Sequence, residues 1–289
     1  MFLADEAFAS EAGSPYFPLG ILYLAAFARD RGHNVEIYDG TFTDGIHTFD
    51  EVLATSAPAV VAISVSIASE QAALTLAERA KSFGATTVFG GPDPTASPEA
   101  YASHPCVDIV VHHEGEVTFA SLLDLLDEGS LSTEILRQEP GIAFGDGDIV
   151  TINPARRPIA DLDSLPMPAR DLIDMQKYLD HWKSTKGYAS MPVSSTRGCG
   201  SNCQWCANGV HGHGLRQRSP KSMAAEVAAL AGSFDIDRLR LVDDVDSLDR
   251  SWFESWAAEL QAADAAVPYE ALNELERTDL PLLHAADSL

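Results

Sequence analysis

Three of the chain's four cysteines, Cys199, Cys203 and Cys206, stand within eight residues in the stretch SSTRGCGSNCQWCANG, positions 194–209. Their spacing is C-x3-C-x2-C. Three thiols on one short glycine-bearing loop are a soft ligand set once deprotonated, and two chemistries compete for them. A structural zinc ion asks for four ligands in a tetrahedron, with His211 or His213 available as the fourth. A [4Fe–4S] cluster asks for thiolates and, given three, leaves one iron open to another ligand. The spacing favours iron and sulfur, because zinc sites usually pair two short knuckles across a spacer and no second knuckle follows here. The fourth thiol, Cys106, precedes a β-branched run and reads as a small buried side chain. Four cysteines in 289 residues do not make a disulfide framework.

Such a loop has to be launched from a rigid frame. "MPVSSTRGC" reads as a strand running into it. "SPKSMAAEVAALAGSF" is a helix with Ser219 as N-cap and Pro220 at its first position. "RLRLVDD" is a strand ending in Asp243 and Asp244, "DRSWFESWAAELQAA" a helix, "VPYEALNEL" a strand and "TDLPLLHAADSL" the start of a helix. That is a β/α series, and β/α barrels build their sites at the carboxyl ends of their strands, where the cysteines and both aspartates fall.

The first half alternates as well. Strands are expected at "MFLADE", "NVEIYDG", "AVVAISVS", "TTVFGGP" and "VDIVVHHEGE". Helices are expected at "PLGILYLAAFARDRG", near 46–56, and at "SEQAALTLAERAKSFG", "PEAYASH" and "VTFASLLDLLDEG". Strict alternation with continuous apolar strands predicts a doubly wound parallel sheet, which binds ligands beyond the carboxyl ends of its strands. The candidate binding residues are therefore Ser64 and Ser66, Gly90 and Gly91, and Glu114, Gly115 and Glu116. The serines can donate hydrogen bonds and the glycine pair lets backbone approach a ligand closely. The glycines also suit a simple tight turn, and the two glutamates also suit the start of the next helix. Residues 141–190 read as a hairpin turning at Gly145–Gly147 and then a proline-punctuated linker.

With 43 acidic and 19 basic residues the chain carries a net charge of −24. That field repels DNA and other polyanions, the one local exception being the basic stretch "GLRQRSPK" (214–221) beside the cysteines. No apolar run is long enough to span a bilayer and no signal peptide is evident, so the cytoplasm is the expected compartment.

The cysteine loop, with Trp205 just before its last cysteine, resembles the signature of the radical S-adenosylmethionine superfamily. The resemblance implies that Cys199, Cys203 and Cys206 hold a [4Fe–4S] cluster whose open iron is chelated by S-adenosylmethionine. The reduced cluster cleaves that molecule to a 5′-deoxyadenosyl radical, and Trp205, Asp243 and Asp244 lie at positions that contact it. "PLGILYLAAFARDRGHNVEIYDG", "VVAISVS", "VFGGPDPTASPEA" and "VDIVVHHEGEVTFASLLDLL" resemble the cobalamin-binding domain that precedes the barrel in B12-dependent members, and "PIADLDSLPMPARDL" resembles their linker. The expected architecture is a Rossmann-like cobalamin domain (1–140), a hairpin and linker (141–190) and the first part of a radical S-adenosylmethionine β/α barrel (191–289). The D-x-H-x-x-G string, whose histidine ligates cobalt in many cobalamin domains, does not occur.

A methyltransferase acting on an unactivated carbon, with cobalamin carrying the methyl group, is the implied activity. Cyclisation or rearrangement, or radical chemistry without cobalamin, is the alternative within the superfamily. Small molecules or peptides are the expected substrates, and flavodoxin or ferredoxin the expected reductant. A Cys3His zinc site stapling a non-enzymatic binding module is the alternative outside it. A barrel of about six β/α units at roughly 30 residues each exceeds the 99 residues of 191–289. The expectation is thus an incomplete barrel and a chain that is a piece of a longer protein.

Overall fold

A β-branched run buried on two sides needs partners on both faces, and the first unit supplies them. In the computed structural model, residues 15–43, 46–147, 149–201, 203–204, 206, 209–244 and 250–271 are described. They sort by contact into two units. The first comprises Met1–Pro158, Pro168–Ile173 and Gly209–His211, and the second Ile159–Met167, Asp174–Asn208 and Gly212–Leu289.

In the first unit, α1 (Leu19–Asp30) and α2 (Ile46–Ser56) precede β1 (Val60–Ser64), α3 (Glu70–Ser82), β2 (Thr86–Gly90), the short helices α4 (Pro92–Ala96) and α5 (Pro98–Ala102), and β3 (Ile109–Val111). Then come α6 (Glu116–Asp127), α7 (Thr133–Leu136), β4 (Ile142–Asp146) and β5 (Ile149–Ile152). The sheet runs β1-β2-β3-β4-β5. β1 to β3 are parallel, and the β4–β5 hairpin joins antiparallel to β3. Residues alternate between faces as a two-residue repeat requires. Val61, Ile63, Phe89, Val110 and Ala143 join Phe49, Leu53, Leu76 and Ala77 in one core. Ala62, Val88, Ile109, Val111, Ile142 and Phe144 join Leu122 in the other. Both faces are therefore covered, as expected, although the sheet is mixed rather than wholly parallel.

Two expectations need correction. "NVEIYDG" runs extended, with Val35 and Ile37 packed on Ala25, Ala26 and Ala169. It carries a single bridge residue, Asp39, and forms no strand among the described residues. "MFLADE" lies outside them. The second correction is in the linker, where Met175–Lys186 is a full helix, α8. The Asp174 side chain accepts from Lys177 N at its start and Gly187, at φ +84°, stops it. Tyr178, Leu179 and Trp182 are buried on it, and it packs on β6 (Ser190–Val193).

The second unit continues with β7 (Thr196–Arg197), β8 (Arg216–Gln217), α9 (Pro220–Ser233), β9 (Arg238–Leu241), α10 (Arg250–Ala262) and β10 (Tyr269–Glu270). β6, β9 and β10 form a parallel sheet in which sequential strands are neighbours. α9 packs on α10, so both crossover helices lie on the same face, the winding of a β/α barrel rather than of a doubly wound sheet. Ser219 caps α9 by accepting from Ser222 N, with Pro220 at the first position, as its sequence predicts.

One buried cation organises this unit. The backbone N–H of Arg218 donates to Ser195 O (2.8 Å), Arg218 Nη1 to Ser194 O (3.2 Å) and to Glu226 Oε2, and Nη2 to Ser222 Oγ (3.0 Å). Trp252 Nε1 donates to Arg218 O (2.7 Å). The "GLRQRSPK" stretch is thus not an open basic patch. Arg218 is buried against the fully buried Glu226, and the half-buried Arg216 donates to Ile159 O. Removing one partner of such a pair leaves an uncompensated buried charge, so Glu226→Ala is expected to destabilise the second unit by about 3–5 kcal/mol. Urea unfolding followed by tryptophan fluorescence checks this.

Candidate functional site

Past Val193 the chain leaves the sheet, and the backbone donors of the turn need acceptors. Asp243, just beyond β9, provides them. Its Oδ1 accepts from Ser195 N (2.8 Å), Thr196 N (2.9 Å) and Ser194 Oγ (3.1 Å), and its Oδ2 from Ser195 Oγ. Burial pushes the Asp243 carboxyl above the usual carboxylate range, and the donors from Ser195, Thr196 and Ser194 offset part of that rise. Its neighbour Asp244 is exposed and accepts from Gly198 N (3.2 Å). The two aspartates therefore divide. Asp243 is saturated by the turn, and Asp244 presents a carboxylate to solvent beside the cysteine loop.

β7 and β8 close the base of that loop as an antiparallel ribbon. Above it Cys199 N donates to Gly212 O and Gly214 N to Cys199 O, both at 3.3 Å. Gly198 sits at φ +77°, and a Cβ there would lie 2.5 Å from Gly214 O, so only glycine allows the two segments to meet. Cys199 is half-buried and its Sγ accepts from Ser201 N (3.3 Å). Cys203 and Cys206 are exposed, with Cys206 N donating to Cys203 O. All three thiols are free. The donor set fits a cluster that takes one thiolate on each of three irons. Among the described residues no three His, Cys, Asp or Glu side chains gather around one ion. His211 Nδ1 lies 3.3 Å from Glu114 Oε1, within the first unit, and His213 pairs with Cys199 through an isolated bridge. Trp205 lies outside the described residues.

The other candidates fall at the carboxyl ends of three neighbouring parallel strands, β1, β2 and β3. Val65 N donates to Gly90 O (2.7 Å) and Asp93 N to Val65 O (3.2 Å), which ties the β1 and β2 loops together. Gly91 adopts φ +103°, and a Cβ there would meet Ser64 Oγ and Val65 O at 2.9 Å. The glycine pair is thus a close-packed cradle in which Gly91 has no substitute, while a Cβ on Gly90 would make ordinary contact with Val111 O at 3.5 Å. Ser66 N donates to Ser69 Oγ (2.9 Å), fixing the β1 loop. Glu114 and Glu116 are buried, with Glu116 in the first turn of α6 where an acid suits the helix dipole, and Gly115 is its N-cap. These residues form one edge of the sheet, and they fit a large ligand approached through backbone and hydroxyl groups.

Sequence reasoning missed Ser69, Arg218 and Thr95. Thr95 Oγ1 donates to Gly91 O (2.7 Å) and accepts from His113 N (3.0 Å). Arg218 and Thr95 act through tertiary partners, whereas Ser69 bonds to Ser66 three residues away, and that Ser-x-x-Ser spacing of the β1 loop is the usable local signal.

Fold and site together define a Rossmann-type domain followed by part of a β/α barrel with a three-cysteine loop. Residues 6–123 match the family model of the B12 binding domain. The first unit therefore carries a B12-binding domain. The chain is 31% identical over 255 residues to an uncharacterized methyltransferase of Pyrococcus horikoshii, covering 85% of this chain and 52% of that protein. To an anaerobic magnesium-protoporphyrin IX monomethyl ester cyclase of Rubrivivax gelatinosus it is 26% identical, covering 89% and 47%. Among solved structures it resembles the radical S-adenosylmethionine methyltransferase TsrM of Kitasatospora setae with cobalamin and [4Fe-4S] cluster bound. The TM-score is 0.78 at 18% identity, covering 99% of this chain and 58% of that one. The chain spans about half the length of the curated relatives it matches. No helix among the described residues is long and apolar enough to cross a membrane.

Two predictions follow from the site's exposure and burial. Ellman titration of the metal-free protein should show Cys203 and Cys206 reacting first, Cys199 more slowly, and Cys106 only on unfolding. Cys106 is buried and burial raises its thiol above the usual range. His112, at the end of β3, is buried, with Nε2 unpartnered. Burial first, and then neighbouring His113, hold its imidazole below the usual range. The unfolded ring takes a proton near about pH 6.5, before the folded one does, so stability falls as pH drops through that region. The melting temperature should therefore fall less steeply for His112→Leu than for wild type between about pH 7.5 and about pH 5.5.

Proposed function

We propose that this chain comprises the cobalamin-binding domain and the opening part of the barrel of a radical S-adenosylmethionine enzyme. Its reaction is methyl transfer to an unactivated carbon of a small-molecule or peptide substrate. The observation that carries the reading is the loop of three free thiols at the carboxyl end of β6, the first strand of a parallel β/α series that follows a B12-binding domain. The methyltransferase names of the Pyrococcus and Kitasatospora proteins support methyl transfer. The Rubrivivax relative, a cyclase by name, supports ring formation as the second reading.

When bound, cluster, S-adenosylmethionine and cobalamin together supply a substrate radical and a transferable methyl group. The residues do the rest. Cys199, Cys203 and Cys206 hold the cluster, with Cys199 placed by the backbone bonds to Gly212 and Gly214. Asp244 offers an exposed carboxylate to the ammonium group of S-adenosylmethionine, a charge-assisted contact, and Trp205, just before the last cysteine, is the second candidate contact to that molecule. Asp243 keeps Ser194–Thr196, and so the root of the loop, in place. On the first unit, Ser64, Ser66, Gly90, Gly91, Glu114, Gly115 and Glu116 line the cobalamin edge. The proposal needs a one-electron donor such as flavodoxin or ferredoxin and places the work in the cytoplasm. Engagement of Arg216 and Arg218 by Ile159, Ser194 and Glu226 speaks against nucleic acid as substrate.

Anaerobic reconstitution with iron, sulfide and hydroxocobalamin, followed by absorption spectra and metal analysis, is the test. About four irons and about one cobalt per chain are expected. A triple Cys199→Ser, Cys203→Ser, Cys206→Ser variant should lose the iron and keep the cobalt. Zinc retained with neither iron nor cobalt overturns the proposal.

A further inference from the structure

We infer that Thr95 is a positioning residue for cobalamin, setting the β3 loop against the β2 loop so that both meet the ligand at one edge. This rests on the B12-binding reading of the first unit. The β1 and β2 loops are joined directly by backbone, through Val65 N to Gly90 O and Asp93 N to Val65 O. The β3 loop leaves its strand at His113, which adopts φ +64°, a left-handed conformation that a side-chain-bearing residue rarely takes. Thr95 spans that gap. Its hydroxyl uses both of its capacities, donating to Gly91 O and accepting the backbone N–H of His113. The same Gly91 is the position where no Cβ fits against Ser64 and Val65. One side chain therefore links the glycine cradle to the turn that presents Glu114, Gly115 and the start of α6.

A threonine in a five-residue helix has no propensity reason to be there, since alanine is the better helix former. Its value lies in the two bonds. Thr95→Ala removes both and leaves the His113 N–H without its acceptor, Thr95→Val does so at nearly constant volume, and Thr95→Ser keeps them.

The experiment is equilibrium dialysis of hydroxocobalamin against the full chain, wild type and the three variants, with melting temperatures and reconstituted iron measured in parallel. Losing two hydrogen bonds should weaken cobalamin binding about thirtyfold in Thr95→Ala and Thr95→Val. Thr95→Ser should stay within about threefold of wild type, and iron content should be unchanged in all. The inference is overturned if Thr95→Ala binds like wild type, or if Thr95→Ser is as weak as Thr95→Ala. It is also overturned if both weak variants have simply lost the fold by melting temperature. Failure of wild type itself to take up cobalamin overturns the B12-binding reading, a result distinct from a failure of Thr95.

Discussion

Everything at the cysteine loop depends on how the chain leaves β6. A strand that turns out of a parallel sheet strands its backbone polar groups, and unsatisfied buried groups are expensive. Here two buried side chains, one an acceptor and one a donor, meet the need from opposite sides. Asp243 receives the donors of Ser194, Ser195 and Thr196, and Arg218 supplies donors to the carbonyls of Ser194 and Ser195. The turn is thereby held by residues from three different elements: the end of β9, the segment before α9, and the turn's own side chains. A loop so rooted can carry exposed thiols without itself wandering at its base.

The first unit solves a related problem without charge. Its three loops are joined by backbone and hydroxyl groups, and the closeness of Gly91 to Ser64 and Val65 replaces side-chain packing with backbone contact. Neutral donors and small residues suit the approach of a large ligand, because they bring the main chain within reach of it and ask for no counter-charge.

How much of this was legible in the sequence depends on whether the signal was local. β1, β2, α3 and α6 stand where the apolar pattern puts them, because each buries a face that repeats with its own period. The cysteine spacing is equally local. α8 was hidden by the prolines at 166 and 168, which made the whole region read as linker although the helix begins only after Asp174. "NVEIYDG" has a strand's alternation, but strand formation also requires a partner, which one segment cannot announce. The arginines at 216 and 218 read as surface charge because composition does not show that Glu226, eight residues on, lies buried against Arg218. Asp243 and Asp244 are identical side by side in sequence and opposite in exposure in the fold.

The interleaving of the two units has a consequence for how the chain is made. Nearly all of the first unit precedes Pro158, yet it also includes Pro168–Ile173, where Ala169 N donates to Leu22 O (3.0 Å) and Arg29 pairs with Asp171 (2.6 Å). Ala169 covers Ala25 and Ala26 of α1. On a ribosome delivering the amino end first, Val35 and Ile37 reach that helix early, but the part covered by Ala169 and Leu172 stays open until residues 168–173 have emerged. By then Ile159–Met167, which belong to the other unit, are already in place. The first unit is therefore completed only by residues, Pro168–Ile173 and Gly209–His211, that follow the opening segment of the second.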